Sequence, residues 1–374
     1  MKMRAAVLVE AQRPKPYAES TPVLVTEVDL SPPGPGEVLV QIKAAGICHS
    51  DLSVVTGTRK RPVPMVLGHE ASGIVAEVGP GVTRLKAGDH VVFAFVAACG
   101  HCEPCMSGRP GICEPGTAAN GAGTLINGSR HLSLNGQPIN HQSGVSCFAE
   151  YSVASEHSLV KIDPTLPLDE AALFSCAVIT GVGAVLNTAK VPPGATVTVV
   201  GLGGVGLNAL LAAKMLGAEK IVAIDLLDSK LALARQLGAT HAFNANDPDC
   251  VEAAREATSG GTEYTFEAAG TVEAMSIAYQ VTRRGGTTCS SGLSHPDHNF
   301  PIQHLSMVAE ERTIKGSYMG SCVPIRDIPR YIGLYQRGHL PVDRLLSERI
   351  KLDDINSAFD KLDRGETIRQ IIVF

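Results

Sequence analysis

The chain of 374 residues contains no tryptophan, and aromatic residues make up only 4% of it. Its cores must therefore be aliphatic, and the aromatic faces on which nucleic-acid bases stack are scarce. A surplus of positive charge is also missing. The formal net charge is -5 and basic residues form no long run, which argues against a nucleic-acid surface. No uninterrupted apolar stretch approaches the roughly 20 residues that a membrane helix needs. The start, Met1-Lys2-Met3-Arg4 followed by Ala5–Glu10, has too short an apolar stretch for a signal peptide and reads as a first strand. Low-complexity segments are absent. The expectation is a soluble, cytoplasmic protein, long enough for two domains with sizeable cores.

Cysteine is present in quantity, with ten residues. In a reducing compartment these are not a disulfide framework, which leaves metal ligation, catalysis or burial. Four fall together as Cys99, Cys102, Cys105 and Cys113, in the spacing C-x2-C-x2-C-x7-C. The short spacers let one looped segment, about residues 97–115, close a tetrahedron around a single ion. Four thiolates leave no open position, so a zinc here is structural. The rival reading is an iron–sulfur cluster.

A second cysteine stands in Gly46-Ile47-Cys48-His49-Ser50-Asp51-Leu52-Ser53, after the alternating run Glu37–Lys43. This stretch reads either as the anchor of a catalytic zinc or as a polar turn at a strand end. Gly68-His69-Glu70, taken alone, reads as a loop. A catalytic zinc typically takes three protein ligands and keeps a fourth position open. Cys48, His69 and Cys176 would supply two thiolates and one imidazole.

Up to about residue 177 the chain is a series of short alternating runs (23–28, 37–43, 73–78, 90–93) separated by Gly/Pro turns such as Pro32–Gly36 and Gly79-Pro80-Gly81. That pattern predicts a β-rich barrel or sandwich. Residues 114–150 read as a long loop-rich region that holds hairpins. From about 178 the pattern changes to alternating strands and helices. The β-branched run Ala195–Val200 leads into Gly201-Leu202-Gly203-Gly204-Val205-Gly206, a helix is expected over Leu207–Leu216, and a strand Lys220–Asp225 follows. A Gly-rich turn between strand and helix, with an acid closing the second strand, is the dinucleotide-binding arrangement. The glycines let backbone N–H groups approach a pyrophosphate, and the helix N-terminus favours its charge. Asp225 is suited to the adenosine ribose hydroxyls and would repel a 2′-phosphate, which predicts NAD rather than NADP. Lys230 is either a second ribose contact or a solvated charge.

Further units are expected as helix Asp228–Leu237, strand His241–Phe243, helix Val251–Thr258, strand Tyr264–Ala268, helix Val272–Val281 and strand Thr287–Ser291. They predict a parallel sheet covered on both faces. Two helices, Ile328–Gly338 and Asp353–Arg364, precede a terminal strand Ile368–Phe374 that is expected to rejoin the first domain. The predicted fold class is α/β, with a doubly wound parallel sheet at 178–319 and a β-rich catalytic domain from 1–177 and 320–374.

Along essentially its full length the chain resembles the zinc-dependent medium-chain alcohol dehydrogenase family. The resemblance rests on Gly46–Asp51, Gly68-His69-Glu70, the cysteine lobe, Ser175-Cys176-Ala177, the glycine loop with Asp225, and Ile368-Arg369-Gln370. It implies a GroES-like catalytic domain, a Rossmann domain, NAD, and two zinc ions per subunit. Cys48, His69 and Cys176 match the catalytic zinc ligands, and Cys99, Cys102, Cys105 and Cys113 the structural ones. Ser50 matches the hydroxyl on the substrate oxygen, and Asp51 the carboxylate that orients His69. Glu70 lies behind the zinc. His49 and Arg369 match pyrophosphate contacts, and Phe95 and Phe148 the walls of the substrate pocket. The long 114–150 region resembles the dimeric branch, so a homodimer is expected, with edge strands around 301–319 pairing across a twofold axis.

Where many relatives carry a proton-relaying histidine this chain has Ser53, so the relay must end on water or another group. The expected reaction is NAD-linked oxidation of a primary or secondary alcohol, a small-molecule substrate. The specialised alternative is S-(hydroxymethyl)glutathione oxidation. That branch's acidic residue near the pocket mouth is not evident in Thr58-Arg59-Lys60-Arg61. This basic run reads most simply as a solvated loop and otherwise as an attractor for an anionic or polar substrate. A polyol dehydrogenase and a catalytically silent NAD- and zinc-binding protein are the remaining readings.

Overall fold

Strand Glu37–Ile47 organises the first half of the molecule because almost every side chain along it is buried. A strand covered on both faces needs partners on both edges. In the computed structural model, which describes residues 1–374, it pairs with Ala71–Val78 on one side and with Arg369–Val373 on the other. Tyr151–Ser155 pairs with its beginning. His90–Phe93, Leu159–Lys161 and Leu346–Ile350 complete a sheet of 7 strands. A second, 6-stranded sheet is built around Lys2–Leu8 and Val23–Leu30. Between the elements lies an aliphatic core that includes Val38, Val40, Ile42, Ile47, Met65, Leu67 and Ile372, with Phe93, Phe148 and Phe359 among its few aromatic rings.

The chain divides into two compact units. One comprises Met1–Cys176, Val323–Ile332 and Asp343–Phe374, and the other Ala177–Cys322 and Gly333–Val342. In the second unit six strands run parallel, in the spatial order His241–Asn244, Lys220–Asp225, Thr196–Val200, Thr262–Glu267, Thr282–Ser290, Thr313–Gly316. Numbered along the chain this is 3-2-1-4-5-6, the doubly wound order. Helices Gly204–Met215, Asp228–Leu237, Cys250–Ala257 and Val272–Val281 connect the strands. The expected α/β class, with a GroES-like β-rich part and a Rossmann part, is the class observed.

Several local expectations need correction. The first helix of the dinucleotide unit begins at Gly204, not Leu207, so the end of the glycine loop is already its first turn. Residues 114–150 are not only loop and hairpin: a helix spans Glu114–Ala122, its first turn held by Gly116 N–H donating to the Cys113 sulfur. The tail helix runs Pro324–Gln336 instead of starting at Ile328, because the buried Asp327 carboxylate accepts the Val323 N–H and fixes the earlier end. The edge strand expected around 301–319 is Thr313–Gly316, the last strand of the sheet, and a helix, His304–Ala309, precedes it. No single helix is long and apolar enough to cross a membrane.

Candidate zinc centres and dinucleotide loop

Cys48 sits where strand Glu37–Ile47 ends and helix His49–Val55 begins, in extended backbone at φ -135°. Its N–H donates to Asp51 Oδ2 at 3.1 Å, so the carboxylate that caps the helix also fixes the thiol's backbone. The other oxygen, Asp51 Oδ1, lies 2.7 Å from His69 Nδ1, and Asp51 is wholly buried. A carboxylate accepting from Nδ1–H leaves the Nε2 lone pair free to bind an ion. His69 Nε2 is buried and has no hydrogen-bond partner. An orphaned buried nitrogen is costly unless something accepts its lone pair.

His69 reaches this position because Gly68 adopts φ +97° and donates its N–H to Gln142 Oε1 at 2.5 Å. A side chain at Gly68 would strike the Phe148 backbone. Cys176 follows Ser175, which is completely buried and clips two strands together. Ser175 Oγ donates to Phe93 O at 2.6 Å and accepts Ala71 N–H at 3.1 Å. The result is that single donor atoms of Cys48, His69, Glu70 and Cys176 all lie within 4.8 Å of one another. Zinc–sulfur and zinc–nitrogen bonds of about 2.3 and 2.0 Å fit a cluster of that size. Two sulfurs and an unpartnered imidazole nitrogen are a zinc donor set, and the residues present fit that ion.

The electrostatics show the same crowding. The proton shared between the two thiols holds Cys48 well below and Cys176 well above the ordinary thiol value. Burial opposes a charged His69, but Asp51 and Cys48 outweigh it and raise its pKa well above the usual imidazole value. Burial pushes Glu70 up to about 7, against the pull of Arg369. The two form a buried ion pair through Arg369 Nη2 and Glu70 Oε2. Gly46 is required beside them, since a Cβ there would come within 2.7 Å of the Arg369 guanidinium and 2.9 Å of the Glu70 carboxyl.

Phe95 meets the His69 ring edge-on at 5.6 Å. Ser50 occupies the first turn of the helix that Cys48 opens, and His49 beside it is exposed. Ser53 is tied back, its Oγ donating to His49 O at 2.7 Å. Phe148, expected as a pocket wall, is instead fully buried in the aliphatic core, with its N–H bonded to Leu67 O at 2.9 Å. The sequence assigns no contact to Gln142 or to Ser175, although Ser175 stands in the Ser175-Cys176-Ala177 motif. The adjacency of Ser175 to Cys176 is a usable signal, whereas Gln142 lies in the patternless 114–150 stretch.

The four-cysteine lobe is of another kind. The sulfurs of Cys99, Cys102, Cys105 and Cys113 lie within 4.8 Å of one another. Backbone N–H groups already point at them: Cys99 N to Cys113 Sγ at 3.3 Å and Cys102 N to Cys99 Sγ at 3.2 Å. Burial raises the Cys99 thiol, but the His101 and Cys102 N–H groups and the neighbouring thiols outweigh it and bring it to about 7. Burial pushes Cys105 up to about 12. Four thiols that face one another and already receive backbone N–H groups are a site suited to trade protons for a metal ion. His101 turns back to the Cys99 carbonyl at 2.9 Å and is not part of the cluster. No cysteine in the chain is in a disulfide.

In the other unit the glycine loop leaves strand Thr196–Val200 at Gly201, whose φ is +88°. A Cβ there would come within 2.6 Å of the Ala269 backbone N. At Gly206 it would run into the Gly201 carbonyl, so helix and strand pack closer than any other residue allows. At Gly203, by contrast, a Cβ would meet nothing within 4 Å. Gly203 caps the helix without a side-chain bond, ahead of Gly204, Val205 and Gly206. This open, uncapped helix end is the cradle a dinucleotide phosphate needs. Asp225 ends the next strand and braces the loop: its Oδ2 accepts Leu202 N–H at 2.6 Å and its Oδ1 accepts Leu227 N–H at 3.0 Å. Lys230 is half-buried in the first turn of helix Asp228–Leu237.

Known proteins share this arrangement. Residues 34–164 match the alcohol dehydrogenase GroES-like domain family, and residues 204–337 match the zinc-binding dehydrogenase family. S-(hydroxymethyl)glutathione dehydrogenase of Paracoccus denitrificans is 36% identical, over 100% of both chains. The protein of that name from Escherichia coli (strain UTI89 / UPEC) is 38% identical, again over 100% of both. Among solved structures, benzyl alcohol dehydrogenase from Acinetobacter calcoaceticus superposes with TM-score 0.93 at 34% identity, covering 100% of this chain and 99% of that one. An alcohol dehydrogenase zinc-binding domain protein from Burkholderia ambifaria gives 0.94 at 35%, with coverage of 100% and 99%. With both family models matched and relatives alike from end to end, the chain belongs to the zinc-dependent medium-chain alcohol dehydrogenases and is an oxidoreductase.

Proposed function

We propose that the protein oxidises a primary or secondary alcohol to an aldehyde or ketone, with NAD as the hydride acceptor. The observation that carries this reading is the convergence of Cys48, His69 and Cys176, with His69 Nε2 lacking any protein partner. Three donors and an open fourth position are a catalytic set, and four thiolates in the other centre are a structural one. Bound zinc supplies Lewis acidity, lowering the pKa of an oxygen ligand toward neutrality. The chain's own residues do the rest. Cys48, His69 and Cys176 hold the ion, and Asp51 keeps the His69 ring in one tautomer. Ser50 takes the substrate's hydroxyl proton, and Phe95 walls the pocket. Glu70 holds Arg369, which with His49 faces the cofactor phosphates. Gly201, Gly203, Gly204, Val205 and Gly206 cradle the pyrophosphate.

Asp225 supports NAD over NADP. Facing a 2′-phosphate at about 4 Å, with an effective dielectric of about 20, one unit charge costs around 4 kcal/mol, a preference on the order of a thousandfold. Lys230 stands close enough in sequence to share the ribose. The test is metal analysis for two zinc ions per chain together with kcat/KM for alcohols with NAD and NADP. Alcohol oxidation that survives full removal of zinc would sink the reading, and a clear NADP preference would sink the cofactor assignment.

A second substrate reading is S-(hydroxymethyl)glutathione, which the names of the 36–38% identical relatives favour. A homodimer in the cytoplasm completes the proposal. The exposed apolar residues Ile302, Leu305, Val308 and Ile314 beside the edge strand support the dimer, and ten free thiols support the compartment.

A further inference from the structure

Asp225 has an acidic counterpart on the far side of the strand that feeds the glycine loop. Strand Thr196–Val200 runs between Lys220–Asp225 and Thr262–Glu267, all parallel, with Ile224, Val200 and Glu267 in one row. Both neighbouring strands therefore end on an acid at the carboxyl edge of the sheet. That edge is where a doubly wound sheet binds its ligand.

Glu267 is only 2% exposed, and its carboxylate is held by neutral donors. Oε1 accepts Ala269 N–H at 2.8 Å and Gly270 N–H at 2.6 Å, and Oε2 accepts the Ser290 hydroxyl at 2.6 Å. The Glu267 carbonyl accepts Ser291 N–H at 2.8 Å and Gly292 N–H at 3.3 Å. One residue thus fastens the loop after its own strand to the loop after Thr282–Ser290. Burying a carboxylate is costly, and here only hydrogen bonds offset the cost.

Two glycines let the loops interlock. A Cβ at Gly292 would come within 2.6 Å of both Glu267 carboxylate oxygens. Gly270 adopts φ +77°, and a Cβ there would come within 2.8 Å of Leu293 N. Ala269 also abuts the glycine loop, because its N lies 2.6 Å from where a Gly201 Cβ would stand. Residues 269–270 and 290–293 therefore continue the glycine loop on the side away from Asp225. A dinucleotide lies across a doubly wound sheet with one mononucleotide on each half of the strand order. With adenosine on the Asp225 side, the other half falls on the Glu267 side.

Resting on the NAD-linked alcohol dehydrogenase reading above, we infer that Glu267 is a positioning residue, which fixes residues 269–270 and 290–293 as the platform for the nicotinamide half of the cofactor. Its oxygens are spent on the loops, so it acts through the backbone that it holds.

The test separates the two halves of the cofactor on the zinc-loaded protein. NADH is titrated by its own fluorescence, free of energy transfer from indole because the chain has no tryptophan. AMP, the adenosine half alone, is titrated by calorimetry. Glu267→Ala strands two N–H groups and a hydroxyl, and should weaken NADH about tenfold or more while leaving AMP within about twofold. The KM for NAD should rise with it. Glu267→Gln keeps an oxygen for the two N–H groups and offers its amide N–H to Ser290 Oγ, so NADH binding should return to within about threefold of the wild type. A loss of fold would move AMP as well. Equal weakening of NADH and AMP in Glu267→Ala, or no weakening of either, overturns the inference. So does Glu267→Gln as weak as Glu267→Ala, for the charge would then matter and not the held backbone. If Glu267→Ala does not fold, Ser290→Ala decides: NADH should weaken about threefold with AMP unmoved, and equal effects on the two overturn the inference.

Benzyl alcohol and S-(hydroxymethyl)glutathione report on the reaction separately. The split between NADH and AMP, without NAD-linked oxidation of either alcohol, overturns the reaction and keeps the platform. Oxidation by the wild type without the split in the variants does the reverse, and a wild type that binds no NADH overturns both.

Discussion

The two thiol-rich centres of the first unit differ in how the chain assembles them. The lobe takes four ligands from one stretch, residues 99–113, and orients their sulfurs with backbone N–H groups supplied by the same stretch. The other centre gathers donor atoms from positions 48, 69, 70 and 176, and His69 and Cys176 depend on partners remote in sequence. Asp51 turns His69, Gln142 holds Gly68, and Ser175 ties Cys176 to the Phe93 and Ala71 strands. A closed tetrathiolate serves stability because nothing further can reach its ion. A three-donor centre with an orphaned nitrogen serves chemistry because it is incomplete.

This contrast breaks first at Cys48. Cys48→Ala should lower kcat at least about a thousandfold, the loss of roughly 4 kcal/mol of transition-state stabilisation. NADH binding and the lobe zinc should remain, so metal analysis should find one ion per chain where the wild type has two. Retained turnover in a variant verified to lack the second zinc would defeat the division of roles. Asp51→Asn should act on the same centre more gently. Removing the carboxylate behind a metal-bound histidine typically costs about 10–100-fold in metal affinity. Competition with a chromophoric chelator should show that loss at one site only, with the lobe unmoved.

Cys102→Ser should do the opposite. We expect loss of the lobe zinc, a drop in Tm of roughly 5–10 °C, and faster cleavage by subtilisin within residues 99–113. A Tm equal to the wild type's would mean that the lobe needs no ion. The smallest effect is expected at Ser53, whose hydroxyl is spent on the His49 carbonyl. Histidine there, with an ordinary pKa of about 6.5, is mostly unprotonated between about pH 6.5 and 8 and can accept a proton in that window. Ser53→His should raise kcat a few-fold below about pH 8 where proton export limits the rate, and leave it unchanged at higher pH. A flat ratio across the profile would show that water already completes the relay.

Legibility in the sequence followed the same divide. The lobe and the glycine loop could be read directly, because their ligands and turns are contiguous and their spacing is itself the geometry. For Cys48, His69 and Cys176 the residue types allowed a zinc set, but choosing these three rested on the family resemblance. Contacts made across hundreds of positions left no local trace. Nothing near Gly46 announces that Arg369 and Glu70 will crowd it until no Cβ fits. Phe148 shows the limit from the other side. An aromatic residue near a cleft-forming stretch and one in an aliphatic core look identical in one dimension, and burial made it the second. The helix Glu114–Ala122 escaped notice because its Gly and Asn content is that of a loop, and a sulfur acceptor at its start was not foreseeable.

The span of each centre along the chain also dictates an order of events during synthesis. An ion in the lobe closes a segment of only 14 positions, from 99 to 113, so its loop-closure cost is small and is met as soon as that segment exists. An ion at the other centre bridges 128 positions, from 48 to 176, and its donors converge only after the strands between them have paired.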